Sequence, residues 1–148
     1  MAVPRVTNLR GIDLSEDDLK NRDLSMLDLA DSNLHNADLD GANLLGANLT
    51  GANLSEADLT YASLAEANLS GADLSGAYLS GADLTRANLT GSRLVGARLI
   101  KAILLDANLT GADMSGARLW GATYNRGTVF PVGFNPVERE MSEQWRVR

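Results

Sequence analysis

From Leu9 to Leu119 every fifth residue is leucine except Met114, and Tyr124 closes the series, so 22 of 24 centres are leucine. A period of five suits neither regular element. An α-helix turns about 100° per residue, so leucines five apart would wander around its surface. A straight strand alternates faces, so successive leucines would point to opposite sides. These leucines can share one core only if the chain bends once per pentad around a common axis.

The rest of the pentad supports that bend. Two residues before each centre, positions 37 to 122 hold alanine in 17 of 18 cases, with Ser92 the exception. The residue before the centre is usually Asp or Asn, and the residue after it is often Ser or Thr. The next residue is Gly in 12 of 24 pentads. In "LTGA" or "LSGA" that glycine is the third residue of a four-residue turn, where a type II turn needs φ > 0. Asn21, Asp31, Asn36 and Asp106 at the same place tolerate that region. Glu16, Met26, Glu56, Tyr61, Glu66, Arg86, Lys101 and Arg126 disfavour it, so another turn type is expected at those corners.

A second period sets the size of one coil. Asn8, Asn48, Asn68, Asn88 and Asn108 precede centres at multiples of 20, and Asp28 fills the gap. Stacked Asn side chains can bond along a ladder. Twenty residues make four pentads per coil, a square cross-section, and six coils. With parallel strands about 4.8 Å apart the tower is roughly 29 Å tall. The pattern A(D/N)LxG resembles the pentapeptide-repeat family over residues 7–126. The resemblance implies an all-β solenoid, a right-handed quadrilateral parallel β-helix whose centre and small residues point inward. Parallel crossovers favour the same hand. The expected division is a lead-in at 1–6, the β-helix at 7–126, and a connector with a short capping α-helix at 127–148.

Both ends of a solenoid need closing. Near the N-terminus the inward small place holds Thr7, Ile12, Asp17, Arg22, Leu27 and Ser32. Asp17 and Arg22 cannot sit unpaired in a closed core, so they are expected near the open end. Residues 15–21 either continue the coil or form a short cap helix started by Ser15. Towards the C-terminus, Asn135 suits an N-cap, Pro136 a first helical place, and Glu138 a first turn. A helix is predicted over about 136–146, with Val137, Met141 and Trp145 as its apolar stripe and Phe130 and Phe134 plugging the last coil. Val95, Ile100, Ile103, Leu105 and Trp120 replace polar outward residues and offer that stripe a surface, with Ile100 stacked under Trp120. The tail is expected to cover them within a monomer, a homodimer through the C-terminal end being the competing arrangement.

Composition narrows the chemistry. The chain has no cysteine and one histidine, which leaves no thiolate or multi-histidine metal centre. His35 lies near Asp38 and Asp40, and a solvated surface histidine is the expectation. No serine has a credible base, and the glycines recur as corners, not as a phosphate cradle. Sequon-like triplets such as Asn48-Leu49-Thr50 follow automatically from the repeat. No catalytic residue, cofactor or metal is expected. The opening "MAVPRVTNLRG" has no apolar run of signal length, and no segment could span a membrane, so the cytoplasm is the expected compartment.

The formal net charge is −6, with 12 acids and 4 bases in residues 1–70 but 4 acids and 6 bases in residues 71–126. An acidic first half opposes direct nucleic-acid binding. Asp18, Asp38 and Asp58 share one face, and the same column continues as Tyr78, Arg98 and Arg118. The expected function is a non-enzymatic module that binds a protein partner through outward residues, with no membrane contact. Family resemblance supplies an alternative, since quinolone-resistance members act as DNA mimics on DNA gyrase. The acidic surface fits that role. The later basic residues, the short rod and the leucine centres do not. The tail "TVFPVGFNP" resembles tails of cyanobacterial members.

Overall fold

The computed structural model describes residues 7–144. Each pentad bridges in parallel to the pentad 20 residues later, from Asn8↔Asp28 to Ile103↔Thr123. Four columns of bridges result, one per side of a square coil. Side A runs Asn8, Asp28, Asn48, Asn68, Asn88, Asn108; side B starts at Asp13, side C at Asp18 and side D at Asp23. The chain belongs to the coil from the first described pentad. Asp18 bridges Asp38 and the Asn21 N–H donates to the Asp40 carbonyl at 2.9 Å, so residues 15–21 are coil and not a cap helix.

One pentad accounts for all five of its N–H groups. The Asn48 N–H donates back to Leu27, the Leu49 N–H forward to Asn68 and the Gly51 N–H forward to Ser70. The Ala52 N–H closes the turn on Leu49. The remaining N–H, that of Thr50, donates to the Asn48 side-chain oxygen. No backbone donor is left over. This explains the Asp or Asn before each centre: its oxygen caps the one N–H that the ladder cannot reach. A Ser or Thr at the capped residue adds its hydroxyl to the same oxygen, as at Asn53–Ser55 and Asn88–Thr90, both 2.6 Å.

The centre leucines from Leu29 to Leu109 are essentially inaccessible to solvent, and the alanines two residues before them are too. Alanine suits this place because the corner leaves no room for a longer chain. Towards the first coil the core opens. Leu9, Leu14 and Leu19 are half-buried, and Asp17 and Arg22 are exposed, so the charges at inward places meet water. Ser32 is buried there, and its hydroxyl has no hydrogen-bond partner among the described residues.

The corners depart from expectation. The third turn residue has positive φ at 23 of the 24 corners, including Glu16, Met26, Glu56, Tyr61, Glu66, Arg86 and Lys101. No second turn type is used at these seven. The corner N–H must reach the carbonyl of the next coil, as Tyr61 does to Ser80 at 3.0 Å, and only the left-handed conformation keeps that register. The ladder overrides the residue's own preference. Arg126 alone leaves the pattern, because one extra residue follows it: Asn108 bridges Val129, 21 residues on. Several long corner side chains lean over a glycine one coil later, Glu56 over Gly76 and Tyr61 over Gly81 among them.

The C-terminal helix is also corrected. A short 3₁₀ turn spans Val137–Arg139 and ends at Glu140, which is left-handed at φ 56°. The chain then extends as β2, Ser142–Glu143, and pairs in parallel with β1, Thr123–Tyr124. A helix of this length is marginal in water, whereas the last coil offers an unpaired edge that a strand satisfies. Met141 thereby aligns with the inward Ala122 and is 9 % exposed. Val137 points out at 72 % exposure, so no helical stripe of Val137 and Met141 exists. Trp145 lies outside the described residues. Phe130 follows the bridged Val129 and so occupies the place above Leu109. Its ring meets Tyr124 edge-on at 5.5 Å and stacks on Phe134 at 4.9 Å, both packed against the core.

Candidate functional site

Function in this molecule must lie in outward residues, and the coil decides which of them meet. Residues five apart turn onto adjacent sides, while residues 20 apart stack. Val95 therefore lies on side B, Ile100 and Trp120 on side C, and Ile103 and Leu105 on side D. The apolar surface expected from these late outward residues is divided among three sides, with Ile100 and Trp120 together on one. All but Trp120 are half-buried; Trp120 is 55 % exposed. The described part of the tail borders Trp120 without covering it. Glu138, Arg139 and Glu140 edge a shallow open groove beside Ile100, Arg118 and Trp120.

Sides A and B are held by internal polar bonds. Asn48 donates its side-chain amide to Asp28 at 2.9 Å and Asn88 to Asn68 at 3.2 Å, so the side A ladder forms in separate rungs. On side B, Asn33 donates to Asp13 and Asn53 to Asn33. Some charges there are paired: Arg10 with Asp31 at 2.9 Å and Arg93 with Asp73 at 3.7 Å. At the corner between sides D and A, Arg86 reaches Glu66 at 3.4 Å.

Side C differs. Its column runs Asp18, Asp38, Asp58, Tyr78, Arg98, Arg118, each bridged to the next. None of the three aspartates or two arginines joins an ion pair among the described residues. Lys20 pairs with Asp40 instead, and that hydrogen bond and charge hold its ammonium above the ordinary lysine value, helped by Asp38 and Asp58. The Arg98 guanidinium lies 4.5 Å from the Tyr78 ring centre, a cation–π contact. Lys101 covers Trp120 in the same way at 5.5 Å. Side C is thus acidic over its first three coils and cationic-aromatic over its last three.

The remaining titratable groups read as structure. The Ser15 hydroxyl and N–H hold the Asp13 carboxyl below its usual range, and Ser25 and Ser115 do the same for Asp23 and Asp113. At Asp73 burial pushes upward, but Ser75 and the Arg93 charge outweigh it. These are turn-capping bonds. His35 is exposed and its Nδ1 lies 2.9 Å from the Ser55 hydroxyl. Among the described residues no group of three or more His, Asp or Glu is placed to hold a metal ion. No helix there is long and apolar enough to cross a membrane.

A tower of leucine-centred square coils with polar outward sides defines a class, the pentapeptide-repeat β-solenoid. The chain belongs to the pentapeptide-repeat family: the family model for pentapeptide repeats matches residues 28–61, 52–91 and 92–123, in 8 copies. Members form right-handed β-helices. The chain is similar to Rfr23, a pentapeptide-repeat protein of the cyanobacterium Cyanothece 51142, with 38 % identity, 84 % of this chain and 88 % of that one covered, and a TM-score of 0.63. It is similar to HetL of the cyanobacterium Nostoc sp. PCC 7120, a protein involved in heterocyst differentiation regulation, with 30 % identity, coverage of 91 % and 73 %, and a TM-score of 0.56. QnrB1, a plasmid-mediated fluoroquinolone resistance protein, shares the fold at 16 % identity, coverage of 94 % and 92 %, and a TM-score of 0.58. No curated protein sequence matches the chain.

Proposed function

We propose that the protein is a non-enzymatic scaffold whose side C docks a protein partner. The observation that carries this reading is the segregated charge on that side, whose column residues form no ion pair among the described residues. Asp18, Asp38 and Asp58 stand at one end and Arg98, Arg118 and Trp120 at the other, all on one rigid ladder. Sides A and B instead carry side-chain amide rungs and the Arg93–Asp73 ion pair. Groups fixed in place lose little entropy on binding, so a rigid face suits recognition. HetL, a relative sharing the repeat, is involved in a regulatory process, which suits a binding role.

Affinity capture from the lysate of its own cells tests the reading. A protein retained by the native chain and lost with Asp38→Lys or Ile100→Asp is expected. Identical capture by all three chains, or none by any, refutes it.

A second reading, mimicry of DNA towards gyrase, has the Asp18–Asp38–Asp58 column in its favour. The likeness to QnrB1 concerns the fold alone, and the arginines on the same side oppose it. A supercoiling assay with purified gyrase decides: neither inhibition nor protection from a quinolone removes this reading.

A further inference from the structure

Side C is complementary to itself. Take a two-fold axis lying along the strands, midway between the third and fourth coils. It reverses the order of the coils and lets each column face its own copy. Asp18 then faces Arg118 of a second chain, Asp38 faces Arg98, and Asp58 faces Tyr78, whose hydroxyl can donate to it. Every carboxylate of the column meets a cation or a donor, and by symmetry every contact occurs twice.

The flanking corners alternate long side chains with glycines. One corner column reads Glu16, Asn36, Glu56 and then Gly76, Gly96, Gly116. Reversed upon itself, each long side chain meets a glycine. The other reads Asn21, Gly41, Tyr61, Gly81, Lys101, Gly121. Reversal sets Asn21 against Gly121, Gly41 against Lys101 and Tyr61 against Gly81. Glu56 and Tyr61 already lean over Gly76 and Gly81 of their own chain, so these two side chains must turn aside where the copies meet. The remaining column sets Lys20 against Trp120 and Thr60 against Ser80; Asp40, already bound by Lys20, meets Ile100.

We infer that side C is the interface of an antiparallel homodimer, in which the acidic half of each chain lies on the cationic-aromatic half of a second copy. This rests on the reading of side C as a docking face and names its occupant. It differs from an end-to-end dimer through the C-terminus, since the copies meet along their sides and the tail only borders the face at Glu138, Arg139 and Glu140. The flat strand surface measures about 29 Å by about 10 Å, or roughly 300 Å² per copy. A stable interface commonly buries about 800 Å² per copy. The dimer is therefore weak, populated at high micromolar concentration, and salt-sensitive because exposed charges carry it.

Sedimentation velocity of the full chain across concentration, at low and high salt, reads the association. Asp38→Arg alone and Arg98→Asp alone are each expected to weaken the dimer about tenfold or more, since each reversal acts twice. Mixing the two variants in equal amounts is expected to restore association, because each then offers the charge the other lacks. Asp18→Arg with Arg118→Asp repeats the test should either first variant fold poorly by circular dichroism. A monomer at every concentration and salt overturns the inference, as does a dimer indifferent to the reversals or a mixture that stays monomeric. Those outcomes leave the scaffold reading to the capture experiment, whose bait is scored for heterologous protein alone.

Discussion

Substituting two glycines that share a backbone but differ in neighbours tests the account of the corners. Gly71 and Gly81 both turn with positive φ, 66° and 69°. A side chain in that region costs about 1–2 kcal/mol. Alanine also stiffens the unfolded chain, which returns about 0.4–1 kcal/mol. Gly71→Ala meets nothing within 4 Å, so its net cost is about 1 kcal/mol. Gly81→Ala places its methyl 2.5 Å from two ring carbons of Tyr61, far inside contact distance. Tyr61 is 73 % exposed and can move, but it must leave its resting rotamer, at about 0.5–1.5 kcal/mol. Gly81→Ala is thus expected to cost about 2 kcal/mol. With Tyr61→Gly already in place, its cost should fall back to about 1 kcal/mol, a coupling of about 1 kcal/mol. Urea unfolding followed by circular dichroism measures all four chains, and equal m-values secure the comparison. Equal costs at Gly71 and Gly81, or no coupling to Tyr61, would refute the stacking of corner side chains over glycines.

Three further outcomes follow from the core and the turns. Leu64→Ala removes three carbons worth about 0.8 kcal/mol each and leaves a cavity; the backbone beside it is tied by bonds of 2.7 and 2.9 Å to both neighbouring coils, so it cannot collapse and the loss should reach about 4 kcal/mol, against about 1–2 for the half-buried Leu9→Ala, both read by urea unfolding. Ser32→Ala removes a buried hydroxyl with no partner among the described residues and restores the alanine rule, so it should stabilise the chain by about 1 kcal/mol; a lowered melting temperature speaks against it. Asp13, Asp23, Asp73 and Asp113 have depressed folded-state values, so their contribution is present above the ordinary aspartate value and is lost as pH falls through the folded one. A melting curve should fall below about pH 4, and converting all four to Asn, which keeps the capping oxygen, should flatten that acid limb.

The leucine period and the 20-residue asparagine spacing were enough to read the coil, its four sides and its parallel stacking, because both are set by residues that repeat in register. The corners were misread for a physical reason. A turn judged alone asks what Glu56 or Lys101 prefers; in the coil, the same corner N–H is committed to the next coil's carbonyl in every pentad. A shared hydrogen-bond register outweighs a local preference of about 1–2 kcal/mol. The tail was misread in the same way. Its spacing of four fits a helix, but Met141 aligns with Ala122 as the inward residue of one more side, and the open edge rewards a strand.

The candidate surface shows why the sites of a solenoid are read on the 20-residue period and not on closeness in sequence. Ile100, Ile103 and Leu105 are near neighbours in sequence, yet the coil sends them to two different sides. Asp18 and Arg118 are 100 residues apart and stand in one straight column. The relevant coordinate is position within the 20-residue coil, and on that coordinate the acidic half and the basic half of the chain cease to be a drift in composition. They become two ends of a single face. Net charge alone, at −6, argues for repulsion between copies. The ordered column argues the reverse for one orientation only, because antiparallel stacking pairs carboxylates with guanidinium groups and parallel stacking pairs like with like. A homodimer, if it forms on this face, must therefore be antiparallel.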